Sequence, residues 1–160
     1  NAEYARFVKA TGHESPRHWP GKTAPAESEG HPVIYVLWED AVTYAGWAGK
    51  RLPTEEEWEK AARGTDGRDY PWGNQEPSAE LCNFNRNVGG TTAVGKYSPQ
   101  GDSPYGCLDM SGNVWEWTSA WYQPYPGNKR ITENYGAKYK VLKGGSWWDC
   151  AVCTCGIPAT

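Results

Sequence analysis

The chain has 160 residues and a formal net charge of −3, with 16 Lys and Arg against 19 Asp and Glu. Leu, Ile, Val and Phe number only 19, about 12% of the chain and in the range of disordered sequences, yet ten Trp and ten Tyr can each bury roughly 150–250 Å² and build a core from rings. No apolar run nears the ~18 residues of a membrane span, and the near-neutral charge without a basic cluster speaks against nucleic-acid binding.

Residues 1–11 read as a short helix with Tyr4, Phe7 and Val8 on one face and Gly12 as its stop. A polar loop holding Trp19 follows. Residues 32–36 read as a short extended segment. Residues 39–48 read as a second helix burying Ala41, Val42 and Ala45, with Trp38 beside them and Gly49 ending it. The third helix has the strongest local signal. Thr54 and Glu57 form a capping box, Trp58, Ala61 and Ala62 make the buried stripe, and Gly64 terminates it. Glu55, Glu56 and Glu57 read as capping and solvated charges at the positive end of the helix dipole.

From residue 65 to 100 the periodicity disappears, an unusual length for a compact domain and a pointer to function or to metal-fixed loops. Residues 114–118 then alternate, placing Trp115 and Trp117 on one face and Glu116 on the other. Trp58, Trp115 and Trp117 are expected in the core. Residues 139–142 are a second strand candidate, leading to Gly144-Gly145. Five cysteines, Cys82, Cys107, Cys150, Cys153 and Cys155, cannot all pair within the chain. Cys82 and Cys107 read as buried thiols.

An ordered set of segments carries a resemblance. It comprises Asn1-Ala2-Glu3-Tyr4-Ala5-Arg6-Phe7, His31-Pro32-Val33, Trp38-Glu39-Asp40-Ala41, and the run from Gly49-Lys50-Arg51-Leu52-Pro53-Thr54-Glu55 to Glu57-Trp58-Glu59. Tyr70-Pro71-Trp72-Gly73-Asn74, Gly112-Asn113-Val114-Trp115-Glu116-Trp117 and Gly144-Gly145-Ser146-Trp147 complete it. Together they resemble the formylglycine-generating enzyme, or sulfatase-modifying factor, family. The resemblance implies a loop-rich α+β fold of C-type-lectin-like kind with few short helices and strands, and one domain over residues 1–160, truncated at both ends. It also implies structural calcium. Some members are copper-dependent oxidases that convert a sulfatase cysteine to formylglycine with O2. Others are domains of iron-dependent sulfoxide synthases, and others are ligand-binding proteins with variable tails.

Carried over residue by residue, Asn113 and Glu116, with the carbonyls of Gly112 and Val114, resemble one calcium site. Asn83 and the carbonyl of Phe84 resemble part of a second. The competing reading makes Asn113 a turn former and Glu116 a solvated strand residue. A carboxylate wedged between two Trp favours a cation, because a buried charge needs a partner. Cys150 and Cys155, separated by four residues, match the spacing of the copper thiolates, and Cu(I) is a soft ion that selects sulfur. Against this, Cys150 follows Ser146 by four positions where the oxidase pattern has three, and an arginine-rich strand expected next is absent. A strand would set Cys153 and Cys155 on one face and Cys150 on the other. A variable tail, a local disulfide and an accidental soft-metal site are the alternatives. Ser146 resembles a residue beside the reactive centre, though a turn serine after two glycines is the favoured reading. His13, His18 and His31 do not assemble an iron triad.

The leading expectation is a calcium-stabilised scaffold binding a protein, peptide or small molecule through Trp147, Trp148, Asp149, Val152 and Tyr125. The first alternative is the copper oxidase, with Cys150 and Cys155 as Cu⁺ ligands and Ser146 beside them. The second is an accessory domain of an iron-dependent sulfoxide synthase.

Overall fold

The computed structural model describes residues 1–130 and 132–149. Three helices and one two-stranded sheet are its regular elements: α1 (Ala2–Thr11), α2 (Trp38–Trp47), α3 (Glu55–Arg63), β1 (Glu116–Trp121) and β2 (Lys140–Lys143), with single 3₁₀ turns at Pro20–Lys22 and Ala26–Ser28. No membrane-crossing helix occurs among the described residues.

The helices form where local chemistry directs them. In α3 the Thr54 hydroxyl accepts the Glu57 amide at 3.2 Å while the Glu57 carboxylate accepts the Thr54 amide at 2.9 Å, the reciprocal box expected of that spacing. Arg51 grips the same carboxylate at 2.6 and 2.7 Å, and this holds Glu57 down to a pKa of about 2. Helix α2 starts at Trp38, one residue earlier than expected, because Asp40 reaches back to accept the Leu37 amide at 2.8 Å. Gly12 ends α1 in the left-handed region, its amide returning to the Val8 carbonyl.

Two clusters form the core. In one, Tyr4, Phe7 and Trp19 are buried and Val8, Val33 and Tyr44 lean on them. In the other, Trp58, Ala62 and Met110 are buried, with Ala61 and Cys107 against them. Cys82 is buried as expected; Cys107 is only partly so and keeps a free thiol, so the two do not pair with each other.

Strand β1 runs antiparallel to β2, Glu116 opposite Lys143 and Trp117 opposite Leu142, and the register shifts before Trp121 meets Lys140. Helix α3 is fastened to this ribbon by the Ser119 amide, which donates to the Pro53 carbonyl at 2.8 Å. The segment before α2 is fastened by the Trp117 indole to the Val36 carbonyl and the Trp38 indole to the Thr118 carbonyl.

Several sequence expectations are revised. On α2, Ala45 is buried but Val42 is 39% exposed. Residues 32–36 join no sheet among the described residues, since Tyr35 sits at φ 57° and breaks the extended run. The first strand begins at Glu116, after the turn at Gly112 and Asn113. Trp115 therefore lies outside the ladder and is 38% exposed instead of in the core. Between α3 and β1 no helix or strand intervenes beyond an isolated Tyr70 and Gly73 bridge, as the missing periodicity suggested.

Candidate functional site

The turn that precedes β1 is built for close backbone approach. Gly112 sits at φ 82°, and a Cβ there would lie 2.4 Å from the Asn83 carbonyl oxygen, so only glycine fits. Asn113 follows at φ 63°, a region that Asn tolerates better than most residues. Its amide donates to the Asn83 carbonyl at 2.8 Å. Its carboxamide pairs with the Thr92 peptide group, accepting from N at 2.9 Å and donating to O at 3.2 Å. Asn83 donates to the Gly90 carbonyl at 2.8 Å, while its Oδ1 is buried without a hydrogen-bond partner. The Phe84 carbonyl accepts from Asn87. Residues 83, 92 and 113 thus form one buried polar knot, and Thr92 carries no sequence signal that would have found it.

Glu116 points elsewhere. Its carboxylate accepts the Trp58 indole N–H at 2.5 Å. Burial pushes its pKa up to about 7, opposed by the indole and reinforced by the charge of Asp109. The family resemblance implies Asn113 and Glu116 as ligands of one site. In the structure both border the same cleft, but the Asn113 side chain joins Asn83 and Thr92, and the Glu116 carboxylate joins Trp58.

The glutamates of α3 are not all solvated, contrary to expectation. Lys143, 1% exposed, places its ammonium 3.3 Å from Glu55 and 3.7 Å from Glu59. Tyr125 donates to Glu55 at 2.5 Å. Tyr125 is half-exposed, and no contact among the described residues joins it to Trp147 or Trp148, so the expected recognition surface is divided.

Residues 146–149 form a tight turn. Asp149 Oδ2 accepts both the Ser146 hydroxyl at 2.6 Å and the Ser146 amide at 2.8 Å, and the Trp148 amide reaches the Ser146 hydroxyl at 3.3 Å. A second loop pins this turn. Asn85 and Arg86, both at positive φ, donate their amides to the carbonyls of Asp149 and Trp147, and the Arg86 guanidinium stacks 3.5 Å from the Trp148 ring centre. No local pattern in the sequence points to Arg86. Trp147 donates its amide to the Asn113 carbonyl at 3.0 Å, which ties the turn to the polar knot. Cys150, Val152 and Cys155 lie outside the described residues.

A cleft of about 450 Å³ opens between residues 32–36 and residues 113–117, with Ser146 and Trp147 at its side. Its lining is mostly apolar, with Glu116 and Ser146 as convergent polar groups, the common make-up of a small-molecule or peptide site.

The donors present fit a hard cation in kind. They are amide, carboxylate and carbonyl oxygens, which Ca²⁺ prefers. Among the described residues Asn83 Oδ1 is an orphaned acceptor, and the Glu116 carboxylate makes no ion pair. Among the described residues no group of three or more His, Cys, Asp or Glu gathers to hold a metal, so such a set would depend on amides and backbone carbonyls.

Comparison with known proteins agrees with this architecture. Residues 1–157 match the family described as Sulfatase-modifying factor enzyme 1-like domain. The chain is 37% identical over 187 aligned residues to the Hercynine oxygenase of Mycolicibacterium smegmatis, covering 92% of this chain and 44% of that protein. It is 46% identical over 113 residues to the Formylglycine-generating enzyme of Mycobacterium tuberculosis, covering 62% of this chain and 37% of that one. It thus spans less than half the length of these curated relatives. Among solved structures, Treponema denticola variable protein 1 shares the fold with a TM-score of 0.71 at 23% identity, covering 98% of this chain and 74% of that one. A loop-rich α+β chain with these motifs belongs to the sulfatase-modifying factor (formylglycine-generating enzyme) family.

Proposed function

We propose that this family domain is a calcium-stabilised binding platform. Its cleft between residues 32–36 and 113–117 receives a peptide or a small, largely apolar ligand. The cleft itself is the observation that carries the reading. It offers exposed Trp115 and part-buried Trp147 as ring surfaces and Ser146 as a polar contact; the Trp117 indole ties one wall at the Val36 carbonyl, and main-chain hydrogen bonds at Asn113 tie the other. Tyr and Trp give large contact area at low entropy cost, which suits them to this role.

Calcium would be held by Asn83 and Asn113 at the polar knot with the Phe84 and Gly112 carbonyls, and by Glu116 with the Val114 carbonyl. When bound it would supply charge neutralisation, so that loops without helix or strand keep one shape. The chain's own residues do the rest. Gly112 allows the backbone to approach Asn83, Thr92 locks the Asn113 side chain, and Asp149 locks Ser146.

A second reading is favoured by the names of the relatives, one an oxygenase and one a formylglycine-generating enzyme. In it the cleft positions a cysteine-containing substrate within a larger oxidising enzyme. Cys150 and Cys155 would then hold copper, a proposal that rests on their spacing. The accessory role in an iron-dependent sulfoxide synthase belongs to the same reading.

One experiment separates them. A cysteine-containing sulfatase-type peptide is titrated against the calcium-loaded protein, with and without Cu(I) and O2, while binding and aldehyde formation are both followed. The platform reading expects binding weakened about tenfold by Trp115→Ala, a loss of ~1.4 kcal/mol, with no aldehyde. Aldehyde formation lost in Cys150→Ala and Cys155→Ala supports the oxidase instead. Absence of both binding and turnover contradicts the two readings alike.

A further inference from the structure

A second cavity lies away from this cleft, on the connection between β1 and β2. The chain leaves β1 at Trp121, makes a long excursion and returns at Lys140. Connections of this length without helix or strand are uncommon in compact domains unless they carry a function. The excursion is anchored where it closes. The Tyr122 amide donates to the Tyr139 carbonyl at 2.8 Å, and the Gly136 amide donates to the Tyr122 carbonyl at 3.2 Å, so the antiparallel pairing continues past the ladder. The Tyr122 and Tyr135 rings meet at 5.0 Å between centres.

Between the anchors the loop borders a cavity of about 510 Å³ that is open to solvent on one side, a size that accommodates a one- or two-ring molecule. Three tyrosines, Tyr122, Tyr135 and Tyr139, give it aromatic walls. Asn128, Asn134 and Arg130 give it hydrogen-bonding groups. The polar residues are held by their own turns: Asn128 reaches the Tyr135 hydroxyl at 3.3 Å, and its Oδ1 accepts the Arg130 amide at 2.9 Å.

The charge balance selects the ligand class. Among the described residues no Asp or Glu lines the cavity. Glu133 lies on the same loop, but it contributes its carbonyl to the Lys138 ammonium at 2.6 Å and its carboxylate does not border the space. Two cations do border it. The ammonium of Lys140 is spoken for, sitting 3.6 and 4.0 Å from the ring centres of Trp121 and Trp38 and donating to the Ser119 carbonyl. The guanidinium of Arg130 makes no ion pair among the described residues. A planar fork of donors suits a carboxylate in particular, and tyrosine faces and edges suit a flat ring.

We infer that the cavity formed by the β1–β2 connection binds a small aromatic carboxylate, its ring against Tyr122, Tyr135 and Tyr139 and its carboxylate on Arg130. This site shares no residue with the cleft bordered by Glu116 and Trp147. Its fate is therefore separate from that of the platform reading.

The test uses benzoate as the probe and benzamide, its neutral analogue, as the control. Both are titrated into the protein, with binding followed by saturation-transfer and amide-shift NMR. Benzoate is expected to bind in the millimolar range and to shift amides near Tyr122 and Tyr139, with benzamide about tenfold weaker, since a hydrogen bond to a charged group is worth more than one between neutral groups. Arg130→Gln, at an exposed loop position, should fold normally and reduce benzoate to the benzamide level. Tyr135→Leu should weaken both probes. Equal binding of the two probes, full benzoate affinity in Arg130→Gln, shifts confined to the cleft around Trp115, or no benzoate binding at millimolar concentration would each overturn the inference.

Discussion

The two core clusters of this domain treat charge differently. Around Phe7 the rings of Tyr4, Trp19 and Tyr44 pack edge to face or tilted, at 5.2 to 6.0 Å between centres, and the ionisable groups stay at the margin, where His13 meets Asp40 at 2.9 Å. Around Trp58 the indole instead carries an enclosed carboxylate, Glu116, and sits 5.6 Å from the ammonium of a buried lysine, Lys143. The first cluster needs only volume and shape. The second pays a desolvation cost that packing alone does not require, and it borders the cleft and the polar knot. Charge held beside a cleft marks the second region as the candidate site.

Substitutions can break this contrast. The largest effect is expected from Phe7→Ala, a fully buried ring whose removal should cost about 4 kcal/mol in denaturant unfolding. Lys143→Ala should cost about 3 kcal/mol by stranding Glu55, while Lys143→Met should recover part of that loss, because an apolar replacement fills the space. If the methionine variant recovered the whole loss, Lys143 would be acting through volume alone, and the two clusters would be alike.

A pH series in chelator sharpens the same comparison. Glu116 has a folded pKa of about 7, above its ordinary 4.5. The metal-free folded state therefore holds a proton that the unfolded chain releases. Stability from this group is full below about pH 4.5 and is lost as pH rises through 7, by roughly 3 kcal/mol in total. Glu116→Gln should remove that slope, and Phe7→Ala should leave it in place. The smallest expected effect is at the surface, where Thr54→Ala should cost about 1 kcal/mol by removing the cap of α3, measured as a shift in the unfolding midpoint.

The helices were legible in the sequence because their signals are local. The Thr54 and Glu57 spacing, the Tyr4, Phe7 and Val8 stripe and the glycine stops each act within one or two turns. The strand was legible in position but not in its start. The alternation at residues 114–118 is real, but the left-handed turn at Gly112 and Asn113 delays pairing to Glu116 and leaves Trp115 outside. The motif around Asn113 located a special backbone, while its partner Thr92, 21 residues away, answers to no pattern. Glu55 looked like one more helix-start acid; only β2, folding back 88 residues later with Lys143, gives it a buried partner. Long-range pairing of this kind has no periodicity to announce it.

On the reading proposed above, oxygen donors at the polar knot and at Glu116 would hold calcium and thereby fix the cleft. Thermal unfolding near pH 7.5, with excess Ca²⁺, with excess Mg²⁺ and with chelator, tests it most directly. A ligand present at about a hundred times its Kd stabilises by roughly 2.7 kcal/mol. The account predicts a calcium-specific rise in Tm of several degrees that shrinks in Asn83→Ala and in Glu116→Gln. Superimposable curves for calcium and chelator, or a calcium shift untouched by both substitutions, would contradict it.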